Sequence, residues 1–222
     1  MKRELRLTAD GSPTLYVPEL DETYHSMHGS VQEARHVFIE NGLRFVATES
    51  KQVNILEVGF GTGLNALLTA QYATENAIRV NYVGLEAYPV EEAIWKEINY
   101  HTDAEARSLY TKIMAHPFGE TISIELNFSL FKEAKLIQDW VANGTFDLIY
   151  YDAFGPRAQA EMWELPIFEK LYSLLNVGGA LVTYCAQGQF KRHLKSLGMR
   201  VDSLPGPPGK REMLRATKKA GF

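Results

Sequence analysis

Two regimes of hydrophobic patterning divide the chain near residue 50. Over the first twenty residues apolar and polar positions alternate, with Leu5 and Leu7, then Leu15 and Val17, on either side of Asp10-Gly11-Ser12-Pro13. Period-two alternation around a Gly/Pro turn predicts a β-hairpin. Asp21 to Gly29 reads as a polar, aromatic loop. Ser30 and Glu33 have the S-x-x-E spacing of a capping box, opening a helix that Gly42 would close. Beyond residue 53, short apolar runs alternate with helical periodicity. Strands are expected at Val53 to Val58, Val80 to Leu85, Thr121 to Leu126, Phe146 to Tyr151 and Ala180 to Tyr184. Helices are expected at Leu64 to Thr74, from Pro89 onward, at Lys132 to Ala142, Ile167 to Leu175 and Phe190 to Leu197, with a turn at Gly178-Gly179. Two weaker strands flank the Pro205-Gly206-Pro207-Pro208-Gly209 loop. Nearly continuous apolar strands between helices indicate a mostly parallel sheet covered on both faces. The expected fold is α/β and doubly wound, with residues 1–50 as an extension or lid packed on a core of residues 51–222, forming one domain overall.

Composition changes this picture little. The 222 residues are 45% hydrophobic and 23% charged, as in an ordinary globular domain. A single cysteine, Cys185, cannot form an internal disulfide, which argues against a stapled secreted scaffold. No apolar run approaches the roughly 18 residues of a membrane span, and Met1-Lys2-Arg3-Glu4-Leu5 leads into no signal-peptide core. The expected location is the cytoplasm. Charge is more informative. The net value of -4 conceals a segment, Gln187 to Phe222, with nine basic residues against two acidic ones. Its +7 leaves -11 for the remainder, an asymmetry that points to a polyanionic partner. The competing reading is a solvated basic face.

In a doubly wound sheet, ligands bind outside the carboxyl ends of the strands. The first such end carries Glu57-Val58-Gly59-Phe60-Gly61-Thr62-Gly63-Leu64-Asn65. Glycines there permit a tight turn and close backbone approach at a helix N-terminus. Leu64 occupies the place of the third dinucleotide glycine, and Glu57 would repel a pyrophosphate. An acid before G-x-G-x-G suits a cationic ligand instead, and the stretch resembles motif I of Rossmann-like S-adenosylmethionine-dependent methyltransferases. The second strand end, Gly84-Leu85-Glu86, places a carboxylate to accept from both ribose hydroxyls. The third, Leu126-Asn127-Phe128-Ser129, lacks the acid that often meets the adenine amino group, so Asn127 and Phe128 become candidates by hydrogen bonding or stacking. The fourth, Tyr150-Tyr151-Asp152-Ala153-Phe154-Gly155-Pro156, brings Asp152 beside the transferable methyl, where a carboxylate can orient an amine and take its proton. The alternative for Asp152 is a simple loop cap.

Four ordered stretches narrow the resemblance. The glycine motif through Asn65, the segment Asp21-x-x-Tyr24-x-Ser26-x-x-Gly29-x-x-x-Glu33 with Val37-Phe38, Asp152-Ala-Phe-Gly-Pro156 with Met162-Trp163 and Phe168, and Gly209-Lys210-Arg211-Glu212-Met213-Leu214 resemble the methyltransferase family that completes 5-methylaminomethyl-2-thiouridine in tRNA. The resemblance implies methyl transfer from S-adenosylmethionine to the exocyclic amine of 5-aminomethyl(-2-thio)uridine at the wobble position. It implies Asp152 nearest the amine, with Glu57, Gly59, Gly61, Gly63, Asn65 and Glu86 around the cofactor. Bifunctional members carry a fused flavin-dependent oxidase. This chain has no room for that half, so the expectation is no flavin and a separate enzyme that supplies the aminomethyl group. Ala153 stands where many relatives have glycine.

Tyr24, Ser26 and Glu33 precede the first core strand, and their loop can cover the strand ends and exclude water. Glu33 reads equally as a helix cap. His25, His28 and His36 have no metal-ligand spacing, so no metal is expected. Lys210 and Arg211 follow a rigid loop and are placed to hold phosphates of the anticodon stem-loop, while Phe154 and Trp163 offer aromatic surface to a splayed base. Trp163 is equally readable as a core anchor. Two rivals remain: an enzyme methylating or aminopropylating a small amine, which the basic segment would repel, and a non-catalytic nucleotide- or tRNA-binding module, which would not need Asp152. A nicotinamide dehydrogenase is disfavoured by Leu64.

Overall fold

The computed structural model describes residues 1–48, 51–100 and 103–220. The N-terminal alternation folds as a hairpin: β1 (Glu4–Leu7) pairs antiparallel with β2 (Pro13–Val17), Leu5 opposite Leu15, and β2 pairs with the short β3 (Glu22–Thr23). Leu15 and Val17 are buried, whereas Leu5 and Leu7 remain exposed. Next, α1 (Ser30–Ala34) continues through a π-helical stretch, Arg35–Leu43, into α2 (Arg44–Val46).

Gly42 therefore does not close this helix. It lies where the helix crosses the sheet, and a Cβ there would stand 3.0 Å from Val182 Cγ2 and 3.3 Å from Tyr150. Nor is there a capping box. Ser30 Oγ donates to Pro13 O, and Glu33 accepts from the Ser26 N–H. Tertiary partners have taken both side chains.

The core sheet has the order β10-β11-β9-β8-β4-β5-β7-β6. Its strands are β4 (Gln52–Val58), β5 (Arg79–Leu85), β6 (Thr121–Glu125), β7 (Phe128–Glu133), β8 (Phe146–Tyr151), β9 (Leu175–Thr183), β10 (Arg200–Pro205) and β11 (Glu212–Thr217). Pairings from β9 through β8, β4 and β5 to β7 are parallel. The β10–β11 hairpin joins β9 antiparallel, and β6 joins β7 antiparallel. Strand order reverses between β4 and β8, which fixes the switch point there. The expected turn at Gly178-Gly179 is absorbed into β9, whose register against β8 shifts between Phe146 and Leu148.

Alternate residues of each central strand feed opposite faces. Val53, Ile55, Leu148, Tyr150 and Val182 pack with Val37, Phe38 and Leu43 of the N-terminal helix and with α3 (Leu64–Glu75) and α5 (Ala104–Ala115). Leu56, Val58, Ile149, Tyr151 and Leu181 pack with α6 (Leu165–Leu174) and α7 (Gly188–Ser196). The N-terminal segment thus shares a core with the sheet. The boundary drawn at residue 50 falls on residues 49 and 50, outside the described residues. The long helix expected from Pro89 is replaced by α4 (Glu92–Trp95) and by α5, which starts at its N-cap Asp103, accepting from the Ala106 N–H at 2.8 Å.

Thr121 to Leu126 was expected to be the third parallel strand and Lys132 to Ala142 a helix. Instead Leu126 and Asn127 form a hairpin turn between β6 and β7, and β7 is the parallel partner of β5. Phe128, Leu130 and Lys132 point inward on alternate positions. Lys132 is 1% exposed, held by Ile113 O and Met114 O, each at 2.9 Å, at the carbonyl end of α5. A buried lysine breaks the apolar signature by which such a strand is recognised.

Candidate active site

A cavity of about 780 Å³ opens over the carboxyl ends of β4, β5, β7, β8 and β9, at the switch point. After Val58 the backbone turns through Gly59 (φ 94°) and Gly61 (φ 51°), and the Gly59 and Phe60 N–H groups donate to Leu85 O at 3.0 and 2.9 Å. The floor is thereby tied to β5, while the Asp152 N–H, donating to Val58 O at 2.9 Å, ties it to β8. A Cβ on Gly59 would lie 2.5 Å from Asp152 O, and one on Gly61 3.0 Å from Tyr24 Cδ1. The glycines are required so that backbone, strand end and covering loop can meet. Gly63 (φ 73°) does not line the cavity; it starts α3 against Met114 and Phe60.

Asp152 lines the cavity, and its Oδ2 accepts from Asn65 Nδ2 at 2.9 Å. Burial holds its carboxyl up at about 7; the Glu33 charge pushes the same way, and the Asn65 hydrogen bond and Lys210 oppose. Asn65 Nδ2 also donates to Glu57 Oε1 at 2.8 Å, and Tyr82 OH donates to Glu57 Oε2 at 2.7 Å. Glu57 itself is fully buried and absent from the cavity wall. That corrects the expectation of direct ligand contact: Glu57 faces α3 and β5, and reaches the site only through Asn65. Burial pushes its carboxyl well above the ordinary range.

Glu86 does line the cavity. Its Oε2 accepts from the Gly61 N–H at 2.8 Å and its Oε1 from the Tyr88 N–H at 2.9 Å, so the carboxylate is held rigidly with lone pairs to spare. Burial raises its pKa. Asn127 and Phe128 are not in the site. Asn127 ends the turn before β7 and Phe128 begins that strand, opposite Val80 at the far end of β5, whereas the cavity lies at the Leu85 end. The cavity wall after β7 is Lys135, Leu136 and Ile137, hidden from sequence reading by the misplaced strand.

Tyr24, His25 and Ser26 form the cover. Tyr24 meets Phe154 edge-on, ring centroids 5.1 Å apart. Arg3 Nε donates to Tyr24 OH at 2.9 Å, and its guanidinium reaches Tyr88 O and Pro89 O. On the opposite rim Arg157 donates to Asp21 O and Glu22 Oε1, both at 3.2 Å. No local pattern marks either arginine, because each acts on residues far along the chain. Among the described residues no group of three or more His, Cys, Asp or Glu side chains could hold a metal ion.

Trp163 is a core anchor. It is buried among Tyr151, Phe168 and Phe190, and its Nε1 donates to Phe154 O at 2.8 Å, fixing the backbone of the Asp152 loop. Phe154 itself lines the cavity. Lys210 is drawn inward: Nζ pairs with Glu33 Oε2 and sits 3.9 Å from the Tyr184 ring centroid. Arg211 is exposed on the cavity rim. Much of the basic segment is likewise engaged internally. Lys191 pairs with Glu212, Arg200 and Arg215 with Asp202, and Lys218 caps Tyr172 O and Leu175 O. The +7 therefore overstates the free positive surface. Tyr184, at the end of β9, was discoverable by the same strand-end rule that yielded Asp152.

These residues fit S-adenosylmethionine. A glycine floor that any side chain would fill, a rigid carboxylate after β5 and the apolar wall at Leu136 and Ile137 offer places for its backbone-hugging, hydroxyl-bearing and flat portions.

The comparisons agree. Over 93% of its length the chain is 32% identical to the tRNA 5-methylaminomethyl-2-thiouridine biosynthesis bifunctional protein MnmC of Cupriavidus metallidurans, and over 95% it is 31% identical to the protein of that name from Cupriavidus necator. It covers 32% and 34% of those proteins, about a third of their length. The crystal structure of MNMC2 from Aquifex aeolicus is similar over 100% of this chain and 72% of that one, with 27% identity and a TM-score of 0.81. A family model described as S-adenosyl-L-methionine-dependent methyltransferase matches residues 100–219. With the strand order, the glycine floor and the Glu86 carboxylate in place, the chain belongs to that family of S-adenosyl-L-methionine-dependent methyltransferases.

Proposed function

We propose that this protein methylates the exocyclic amine of 5-aminomethyl(-2-thio)uridine at the wobble position of tRNA, in the cytoplasm. The observation that carries this reading is Asp152: a half-buried carboxylate at the end of β8, held by Asn65 and facing a cavity shared with Glu86. Support for the substrate comes from the relatives, whose names specify tRNA 5-methylaminomethyl-2-thiouridine biosynthesis.

S-adenosylmethionine supplies, when bound, a methyl group made electrophilic by its sulfonium. The protein must present the amine neutral, with its lone pair free. Asp152 accepts an amine N–H and withdraws the proton, its pKa of about 7 matching the task near neutrality. Asn65 fixes one carboxylate oxygen, leaving the other for the amine. Phe154 and Tyr24 supply aromatic walls for a splayed base. Within the N-terminal extension, the strap from Glu22 to Ser26 acts as the lid: pinned by Arg3 on one rim and Arg157 on the other, it excludes water from the amine. The aminomethyl group is consumed ready-made, so an earlier reaction by another activity must install it.

The direct test is incubation with labelled S-adenosylmethionine and tRNA from cells lacking the protein, followed by nucleoside analysis. Label in the wobble uridine supports the reading; transfer to small amines with none to tRNA defeats it. Two further results are expected. Glu86→Ala lowers S-adenosylmethionine affinity roughly 10- to 100-fold by calorimetry, since hydrogen bonds to a charged acceptor contribute about 1.5–3 kcal/mol each. Affinity unchanged would remove Glu86 from the cofactor. Arg211→Ala reduces the salt slope of tRNA binding by about one, the signature of one lost phosphate contact at the anticodon stem-loop. An unaltered slope returns Arg211 to ordinary surface.

A further inference from the structure

The cover and the β10–β11 hairpin come from opposite ends of the chain, yet they interlock beside Asp152. His36 Nε2 lies 2.8 Å from Pro205 O. Gly209 (φ 83°) is pressed against His28, so that a Cβ there would stand 2.0 Å from the ring. Between these contacts Lys210 Nζ meets Glu33, a side chain only 8% exposed, whose other oxygen accepts from the Ser26 N–H at 3.1 Å. Lys210 also rests on Tyr184, and Tyr184 OH donates to Ala153 O at 2.8 Å, the carbonyl next to Asp152. Of this chain of contacts Ser26, Glu33, Ala153, Tyr184 and Lys210 line the cavity.

We propose that the Glu33–Lys210 ion pair is a positioning and charge-setting element for Asp152: Lys210 neutralises Glu33 across the cavity and, through Tyr184, holds the Asp152 loop beneath the cover. Glu33 is a buried carboxylate in the same cavity as Asp152, and without Lys210 two anions would face each other in low dielectric. Polar groups that also interact with Asp152 are Asn65 from α3, with Glu57 of β4 and Tyr82 of β5 behind it, Tyr184 just after β9 and Tyr100 from the segment before α5. Lys210 supplies a positive charge that opposes Glu33 at Asp152. The opposing influences of Glu33 and Lys210 on the Asp152 carboxyl have the same two sources.

The kinetic part of this inference rests on the methyl-acceptor reading; the titration does not. In the full-length protein, carbon-13 NMR titration of the Asp152 carboxyl, assigned with Asp152→Asn, is expected to show a lower midpoint in Glu33→Gln. In Lys210→Met the midpoint rises by about one pH unit, the scale of one neighbouring charge. The double variant falls between, and Lys210→Arg stays near the parent. A rise of about one unit reduces the ionised fraction at pH 7 from about half to about a tenth, so Lys210→Met turns over about fivefold more slowly at pH 7 and recovers near pH 9. Recovery with pH is what a merely structural lysine would not give. Should Lys210→Met fail to fold, Glu33→Gln alone still decides. Coincident midpoints in the folded variants, or a kinetic loss equal at every pH, overturn the proposal. Absence of methyl transfer to tRNA with midpoints displaced as stated would count against the proposed substrate and leave the pair intact.

Discussion

On the proposed function, Asp152→Ala is expected to lower kcat for methyl transfer by about 10²- to 10⁴-fold, the usual contribution of a positioned acid–base group, while S-adenosylmethionine affinity changes only a few-fold. The reason is geometric. Asp152 is joined to the glycine floor through its backbone, which the substitution keeps, and to Asn65 through its carboxylate, which the substitution removes. The parent enzyme is expected to show an acid limb in kcat/KM near pH 7, where burial has placed the carboxyl, and Asp152→Asn to lack it. The same shift affects stability with a definite sign. Raised from the usual 3.8 to about 7, the folded carboxyl holds its proton more tightly than the unfolded one. Stability contributed by this group is therefore present at low pH and lost as pH rises from about 4 to 7. Asp152→Asn consequently melts above the parent at pH 8, and the two converge near pH 4. Equal losses of turnover and cofactor affinity would instead assign Asp152 to the cofactor.

Gly59→Ala is the second large effect, and it acts through the backbone. At φ 94° a side chain is already strained, and its Cβ would lie 2.5 Å from Asp152 O and 2.9 Å from Asp152 C. Both atoms are main chain and cannot rotate away. The substitution costs about 1–3 kcal/mol in thermal unfolding from the dihedral strain alone and displaces Asp152, so turnover falls even where the protein remains folded. Gly119→Ala is the comparison: φ there is 87°, but nothing lies within 4 Å of the added Cβ. It is destabilised by a similar strain with activity preserved. Comparable activity in the two variants would show that contact between the floor and Asp152 is unimportant.

The parts of the site that the sequence reveals are those encoded by short-range pattern. β4, β5 and β8 are nearly continuous apolar runs, so their ends, and with them Gly59, Gly61, Glu86 and Asp152, could be placed before any coordinates. The spacing of Asn65 in the same turn put it in the cavity wall as well. Reading failed where a residue serves a distant partner. Lys132 looks like the polar face of a helix because nothing nearby shows that the carbonyl end of α5 will receive it. That one misreading displaced β7 by a hairpin, sent Asn127 and Phe128 to the wrong end of the sheet and concealed Lys135 to Ile137. Glu57 was read by motif as a ligand contact, yet Tyr82 and Asn65 occupy both its oxygens.

The sequence by itself determined the α/β class, the position of the glycine turn and the acids at the ends of β5 and β8. These follow from periodicities of two and 3.6 residues and from the backbone freedom of glycine, all properties of neighbours along the chain. Only the tertiary structure decided which charges are spent inside the protein. Lys210, read as a hand for tRNA phosphate, is instead paired with Glu33, 177 residues away, and Trp163 supports the Asp152 loop from within the core. Burial and pairing are relations between surfaces that meet only after folding, and a buried charge is tolerated only where such a partner exists.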